Sequence, residues 1–234
     1  MMIKRAFTML ELVFVIAIVG ILSALAIPRS NKNPLREAVD QIMADIRYTQ
    51  HLAMQDNKFT LQSDGTPESD WYKAYWRIKF QNAKNSGKVK WIYSIFSDSP
   101  AYDNVPKNDE MISSPNKPDK KISGLTNNDY DLSKKFGVTN IIIHTDNATK
   151  PNDSKDYDGT ISFDNMGRPY KKVSNTSAYE NLMNNKIHID LFGNRNKLTI
   201  ILYPQTGYTC IRASQEVINN RQKIPEANKI DECE

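Results

Sequence analysis

The sequence contains none of the short motifs that mark common catalytic sites. It has no GxSxG turn, no P-loop, no GxGxxG turn and no HExxH helix among its 234 residues. The three histidines, His51, His144 and His188, are scattered along the chain and lack the spacing of a metal site. We therefore predict that the protein is not an enzyme and has neither a cofactor nor a metal site.

Cysteine is scarce as well: the chain has two, Cys210 and Cys233. Neither belongs to a CxxC pair, which argues against zinc. Outside the cytoplasm such a pair can persist as a disulfide, and closing a loop of this length stabilises a domain by about 3 kcal/mol in the chain-entropy model. We predict a bond between Cys210 and Cys233 that holds the C-terminal tail, residues 213–234. Two free thiols are the alternative.

Long apolar runs are absent with one exception, Phe7 to Ile27, in which Glu11 is the single ionisable residue. At about 1.5 Å per residue, this run predicts a helix that crosses the roughly 30 Å hydrocarbon of a bilayer. Lys4 and Arg5 precede it, so the positive-inside bias places its start in the cytoplasm and the rest of the chain outside. A secretory signal cut after Ala26 and an unprocessed anchor are the alternatives.

The residues around Glu11 form a specific pattern. Lys4-Arg5-Ala6 is followed by Phe7-Thr8-Met9-Leu10-Glu11 and then by unbroken apolar sequence up to Pro28. This arrangement resembles the class III signal of type IV pilins and pseudopilins. The resemblance implies that a prepilin peptidase removes residues 1–6 by cutting between Ala6 and Phe7, and that Phe7 is then N-methylated. It also implies that Glu11 pairs with the terminal amine of a neighbouring subunit, which would offset the cost of burying a carboxylate.

Net charge is small once that leader is removed. The chain has 31 basic and 27 acidic side chains, and the leader holds Lys4 and Arg5, so 29 basic side chains remain. Net charge therefore gives no support for DNA as a partner, although a local basic patch stays open.

Residues 28–63 are amphipathic. Pro28 is predicted to kink the helix. After it, apolar residues recur at approximate three-four spacing, at Leu35, Val39, Ile42, Met43, Ile46, Leu52 and Phe59. We predict a helix that continues the membrane helix and packs on the following domain. The predicted class is α+β: a long N-terminal helix, membrane-spanning in its first half and amphipathic in its second, packed on an antiparallel β-sheet domain, similar to pilins.

Residues 64–234 predict a β-rich domain outside the cytoplasm. Alternating aromatic or aliphatic and polar residues on either side of the turn Asn85-Ser86-Gly87 are typical of a β-hairpin. We expect its aromatic residues to cover the amphipathic helix rather than to stack on bases. Strands are predicted at 71–80, 88–96, 138–146, 186–192 and 197–203.

Two polar segments interrupt these strands. Residues 97–133 contain four prolines, Pro100, Pro106, Pro115 and Pro118, and predict a long, partner-facing loop. Residues 154–159 have the spacing of a calcium loop. However, the first aspartate is missing and Asn165 stands where a bidentate glutamate is needed, so we favour a turn.

The C-terminal half carries a narrower resemblance. A strand ending in Phe163-Asp164, the turn Gly167-Arg168-Pro169, two strands and the turn Thr206-Gly207 follow one another. With the helical segment Asp45–Ala53, these resemble the H-type minor pseudopilins of type II secretion and the FimT-type minor pilins. Some FimT-type proteins bind DNA through a basic GRxR-like segment at the C-terminus. The tail here has no such motif, so DNA binding does not follow from the match.

These resemblances imply a minor subunit of a type II secretion or type IV pilus-like assembly, with a structural role in initiating or capping the filament. The implied partners are other pilin or pseudopilin subunits, the prepilin peptidase, the inner-membrane assembly platform and the membrane. The implied location is the bacterial inner membrane, single-pass, with a periplasmic domain and assembly into a periplasmic or surface filament. A DNA-binding competence minor pilin is the alternative.

Overall fold

The structure is a computed structural model that describes residues 8–26, 33–85, 88–145, 159–174, 176–194, 196–212 and 233. The chain forms two compact units, Met1–Asn33 and Pro34–Glu234. The first unit contains helix α1, Met9–Ala26. The second contains helices α2, Pro34–Gln55, and α3, Leu132–Phe136, together with antiparallel β-sheets. The class is therefore α+β with antiparallel sheets, as predicted.

The prediction of a long N-terminal helix with a membrane-spanning first half is wrong. Helix α1 has 18 residues, and at about 1.5 Å per residue it reaches about 27 Å, less than the roughly 30 Å of bilayer hydrocarbon. Across the described ranges, no helix combines the length and the apolar character needed to cross a membrane. The amphipathic part is a separate helix that begins at Pro34. Pro28, the predicted kink, lies outside the described residues.

The described part of the second unit contains two four-stranded antiparallel sheets. Their strands are β1 Trp76–Asn85, β2 Lys88–Ser97, β5 Asn140–Thr145, β6 Thr160–Phe163, β7 Pro169–Tyr170, β8 Ile187–Phe192, β9 Lys197–Leu202 and β10 Thr209–Ile211. The first sheet has the order β2-β1-β6-β7 and the second the order β10-β9-β8-β5. A separate two-stranded pair consists of β3, Ser113–Ser114, and β4, Lys117–Lys121.

Helix α2 joins the two large sheets through one apolar side. Pro34 suits the first helical position, because the missing N–H has no partner to lose there. The buried residues recur every three or four positions: Leu35, Ala38, Val39, Ile42, Ile46, Thr49 and Ala53. All of them except Thr49 belong to one apolar core with strand residues of both sheets, such as Ile78 and Ile161 of the first and Ile189 and Ile200 of the second. The predicted packing of this amphipathic helix on a sheet domain is therefore correct.

The predicted hairpin is formed by β1 and β2, with Trp76 opposite Ser97 and Asn85 opposite Lys88. It starts later than predicted because residues 71–74 form a short 3₁₀ helix. Tyr93 on β2 packs in the main core with α2. The aromatics at the start of the predicted hairpin instead form a small second cluster with Tyr170, which includes Trp71, Tyr72 and Tyr75.

The prediction of a long loop at residues 97–133 is wrong in part, because much of this segment is built onto the edge of β2. Ile95 N donates to Ile122 O at 3.0 Å, and Gly124 N donates to Tyr93 O at 2.9 Å. Met111 and Ile122 are buried. The segment also contains β3, β4, the 3₁₀ helix Asn128–Tyr130 and the start of α3.

The strands predicted at 186–192 and 197–203 correspond to β8 and β9. The strand predicted at 138–146 corresponds to β5, which begins at Asn140. It is mostly half-buried, because it lies at the edge of the second sheet.

Candidate functional site

Helix α1 exposes apolar side chains on all sides. Every position from Leu12 to Leu22 is apolar or glycine, which covers about three turns and therefore the whole circumference of the helix. The side chains of residues 8–23 are all exposed. The large apolar ones are Met9, Leu10, Leu12, Val13, Phe14, Val15, Ile16, Ile18, Val19, Ile21 and Leu22. An apolar surface of this extent on a protein marks an interaction site.

Glu11 lies in the first turn of α1. Its backbone N–H donates to Thr8 Oγ1 at 3.3 Å, and Leu12 N donates to Thr8 O at 3.2 Å. Thr8 therefore acts as the N-terminal cap. The positive end of the helix dipole favours a carboxylate at this position. The predicted cleavage and methylation residues, Ala6 and Phe7, lie outside the described residues, so these roles and the Glu11–amine pair remain predictions.

The structure brings together the three segments behind the narrower resemblance. Gln50, on the helical segment 45–53, donates through Nε2 to Gly167 O at 2.9 Å and to Thr206 O at 2.7 Å. Gly167 and Gly207 have positive φ angles of 74° and 65°. A Cβ atom on Gly207 would lie 2.5 Å from Gln50 Nε2. The two glycine turns therefore close onto one glutamine of α2.

Arg47 makes a second link from the same side of α2. Its Nε donates to Thr209 Oγ1 at 3.1 Å and its Nη2 donates to Thr209 O at 2.8 Å. Sequence reasoning missed the roles of both Arg47 and Gln50. The available signal was their spacing of three residues, which places them on one face of a helix.

Arg168 is used within its own turn. Its Nε and Nη2 lie 2.8 Å and 2.7 Å from Asp164 Oδ2, and this carboxylate is almost fully buried. Asp164 Oδ1 also accepts from the backbone N–H groups of Met166 and Arg168. The side chain of Arg168 thus stabilises the Gly167-Arg168-Pro169 turn.

The two cysteines form a disulfide with their Cα atoms 5.4 Å apart. Cys233 also pairs with Arg212 as an isolated antiparallel bridge, next to β10. The disulfide therefore fixes the described end of the tail at the outer edge of the second sheet. Residues 213–232 and 234 lie outside the described residues.

Two of the histidines that look scattered in the sequence are neighbours in the sheet. His144 on β5 and His188 on β8 stack with ring centroids 5.1 Å apart. His144 Nε2 lies 3.3 Å from Asp190 Oδ2, and this bond raises the pKa of His144. Burial alone would raise the pKa of Asp190, but hydrogen bonds from His144, Lys197 and Thr199 lower it to about 2.

Within the described ranges, no group of three or more histidine, cysteine or acidic side chains could hold a metal ion. Residues 154–158, part of the segment with calcium-loop spacing for which we predict a turn, lie outside those ranges.

A second polar network connects α2 to β2 and α3. The Tyr93 hydroxyl donates to Asp45 Oδ2, and Gln41 Nε2 donates to Tyr93 Oη at 2.6 Å. Lys135 Nζ donates to Gln41 Oε1 at 2.7 Å. Burial raises the pKa of Asp45 to about 6, although Tyr93 and Lys135 favour its charged form. These hydrogen bonds attach the polar side of α2 to β2 and α3, while the buried side of α2 packs in the apolar core.

Comparison with known proteins gives no relative: no family model, no curated protein and no solved structure matches this chain.

Proposed function

We propose that this chain is a minor subunit of a type II secretion or type IV pilus-like assembly, with a structural role in initiating or capping the filament. The observation that carries the proposal is the apolar surface of helix α1, which is exposed on all sides of the helix. Burying apolar surface contributes roughly 25 cal/mol per Å², so a helix of this kind gains most by packing against other apolar helices.

The position of the lone carboxylate of α1 supports the same function. Glu11 lies in the first turn of α1. In the sequence it closely follows Ala6 and Phe7, the residues at which the prepilin-type pattern predicts cleavage and methylation. A carboxylate that enters an apolar bundle needs a cation, and the new amine of Phe7 on a neighbouring subunit would supply one. The pairing would fix the axial register of adjacent subunits. Prepilin peptidase, the inner-membrane assembly platform and related subunits are the proposed partners.

The disulfide supports a location of the second unit outside the cytoplasm. Bonds of this type persist in oxidising compartments such as the bacterial periplasm and are rare in the cytosol. Cys210 and Cys233 form the bond at the sheet edge, where it holds the end of the chain.

The proposal can be tested with Glu11→Ala in the natural host. We expect N-terminal sequencing and mass spectrometry of the wild type and the variant to find methylated Phe7 as the first residue. Recovery of the variant with isolated filaments should fall at least about tenfold. Without the Glu11 carboxylate, the amine of Phe7 on the neighbouring subunit would be a buried charge without a partner, which costs several kcal/mol. Asp40→Ala, which removes an exposed carboxylate from α2, should assemble normally.

Two outcomes contradict the proposal. One is a mature chain that begins after Ala26, because such a chain has lost α1. The other is recovery of Glu11→Ala in filaments at the wild-type level.

A further inference from the structure

The outer strands of the two large sheets differ in how their free edges are covered. In the first sheet, β2 is covered by the segment 97–133, through bonds such as Ile95 N to Ile122 O at 3.0 Å. At the other end, β7 is covered by the turn that precedes β8, since Lys171 N donates to Asn181 O at 3.1 Å. Both edges of this sheet are therefore closed by the chain itself.

In the second sheet, only one of the two outer strands is covered within the described residues. Arg212, which follows β10, pairs with Cys233, and the disulfide fixes this pair. At the opposite end, β5 pairs with β8. The described part of the chain contains no segment paired to the other side of β5. Within the described ranges, β5 is therefore the outer strand with no segment bonded to its free side.

Strand β5 also lacks the residues that usually protect an open edge. Its sequence, Asn-Ile-Ile-Ile-His-Thr, has no lysine, no acidic residue and no proline. Natural sheets use charges, prolines or bulges on exposed edges to prevent pairing with another strand. A six-residue strand without them can accept a partner strand through backbone hydrogen bonds.

The two faces of β5 are different. Ile141 and Ile143 lie opposite Leu191 and Ile189 and pack with the main core under α2. Ile142 lies opposite Asp190, on the other face of the sheet. A partner strand must therefore match an apolar face on one side and a mixed face on the other.

We propose that β5 binds β5 of a second copy of this chain, antiparallel, to form a continuous eight-stranded sheet. A two-fold axis perpendicular to the sheet keeps the same face of both copies on the same side. When the axis passes through Ile142, Ile141 of one copy lies opposite Ile143 of the other, so the core faces join. Asn140 then lies opposite His144 of the other copy, and no pair brings together two carboxylates or two lysines.

The neighbouring register has its axis at Ile143 and preserves the same match of faces. Moving the axis by one residue shifts the pairing by two residues, so the same faces still meet. A pairing shifted by one residue would place the core face of one strand beside the opposite face of the other, and a two-fold axis perpendicular to the sheet does not allow this arrangement. The strand therefore complements itself in two adjacent registers. A second copy provides this match without any further partner, which is why we favour it over an unrelated strand.

The full-length chain can be tested in non-reducing detergent solution, in which detergent covers α1 and the native disulfide stays closed. Asn140 is exposed, and Asn140→Cys provides a thiol that carries a spin label. Pulsed electron paramagnetic resonance then measures the distance between the labels of the two copies. The two registers place the labelled Cα atoms about 14–21 Å apart. We expect a distance in this range, broadened by the length of the label.

A charge on the edge provides the second measurement. Ile142→Lys in the labelled chain should abolish the short distance, because it places an ammonium group on the pairing strand of each copy. Val89→Lys is the matched control, because Val89 is an exposed apolar residue on β2 of the other sheet, and it should leave the distance unchanged. Thermal unfolding checks that each variant is folded.

The label distance alone decides the proposal, so it remains testable even if Ile142→Lys fails to fold. A monomeric chain, or a dimer whose Asn140 labels are more than about 35 Å apart, would overturn it. Equal loss of the short distance in Val89→Lys and Ile142→Lys would also overturn it. None of these outcomes depends on Glu11 or on filament assembly.

Discussion

The two long helices of this protein differ in what their apolar residues touch. In α2, Ile42 and Ile46 are completely buried in the core of the second unit. In α1, Ile16 and Ile18 are more than half exposed. The residue types are the same, but α2 alternates them with polar positions and α1 does not. An amphipathic pattern lets a helix be stabilised by its own domain, whereas a uniformly apolar one depends on other molecules.

This difference separates two kinds of stability. The core around α2 contributes to the folding of the isolated chain, because unfolding exposes it to water. The surface of α1 is already exposed in the folded chain, so it contributes mainly when the chain associates. Mutations in the two helices should therefore affect different measurements.

The largest expected effect is the loss of a core isoleucine from α2. Ile46→Ala should lower the free energy of unfolding of the full-length chain by about 4 kcal/mol, since it removes buried methyl groups and leaves a cavity. Ile16→Ala, the same change on α1, should alter it by less than about 0.5 kcal/mol, because Ile16 is 61% exposed. Urea unfolding followed by tyrosine and tryptophan fluorescence measures both. Equal effects of the two changes would break the comparison.

The elements with a strong local pattern were predictable from sequence. The spacing of Leu35, Val39, Ile42 and Ile46 located α2, and the turn-forming sequence Asn85-Ser86-Gly87 located the hairpin. These signals are local, because a helical stripe or a tight turn is fixed by residues a few positions apart. The disulfide between Cys210 and Cys233 was predicted for a different reason, namely that a pair of cysteines outside the cytoplasm can persist as a disulfide.

The features that depend on distant residues were missed. Segment 97–133 looks polar and rich in proline, yet its scattered apolar residues, such as Met111 and Ile122, are buried beside β2. Gln50 is a polar residue on an amphipathic helix, and its bonds to Gly167 and Thr206 span more than a hundred positions. The length of α1 was overestimated because apolar composition alone sets no helix end: α1 is Met9–Ala26, shorter than the apolar run Phe7 to Ile27 on which the prediction rested.

The second prediction concerns Asp45, whose carboxylate lies on the polar side of α2 and accepts a hydrogen bond from Tyr93. Burial raises the pKa of Asp45 to about 6, above the value of about 3.9 expected for an unfolded chain. Between these pH values the folded state binds more protons than the unfolded state, so stability falls as pH rises. We expect wild-type stability to decrease by about 2–3 kcal/mol from pH 4 to pH 7.5 relative to Asp45→Asn.

The asparagine variant can still accept the hydrogen bond from Tyr93, which isolates the effect of charge. Asp40→Asn is the matched control on the same helix, because the Asp40 side chain is 55% exposed. Its pH dependence should follow the wild type. Parallel curves for the wild type and Asp45→Asn would mean that Asp45 titrates alike in the folded and unfolded chains.

The smallest expected effect comes from a single methyl group added to a glycine in each unit. Gly207→Ala should destabilise the chain by about 1–2 kcal/mol, because φ is +65° and an L side chain is strained there. The new Cβ would also lie 2.5 Å from Gln50 Nε2, so the glutamine must move from Thr206. Gly20→Ala on α1 meets no atom within 4 Å and should leave the second unit unchanged while favouring the helix by up to about 1 kcal/mol.

Hydrogen exchange of backbone amides separates these two substitutions by region. Gly207→Ala should increase exchange in the turn at Thr206 and in the turn at Gly167, because Gln50 bridges both. Gly20→Ala should slow exchange within α1 and nowhere in the second unit. If Gly207→Ala changed only its own turn, Gln50 would not couple the two glycine turns, and the polar side of α2 would contribute less to the domain than its apolar side does.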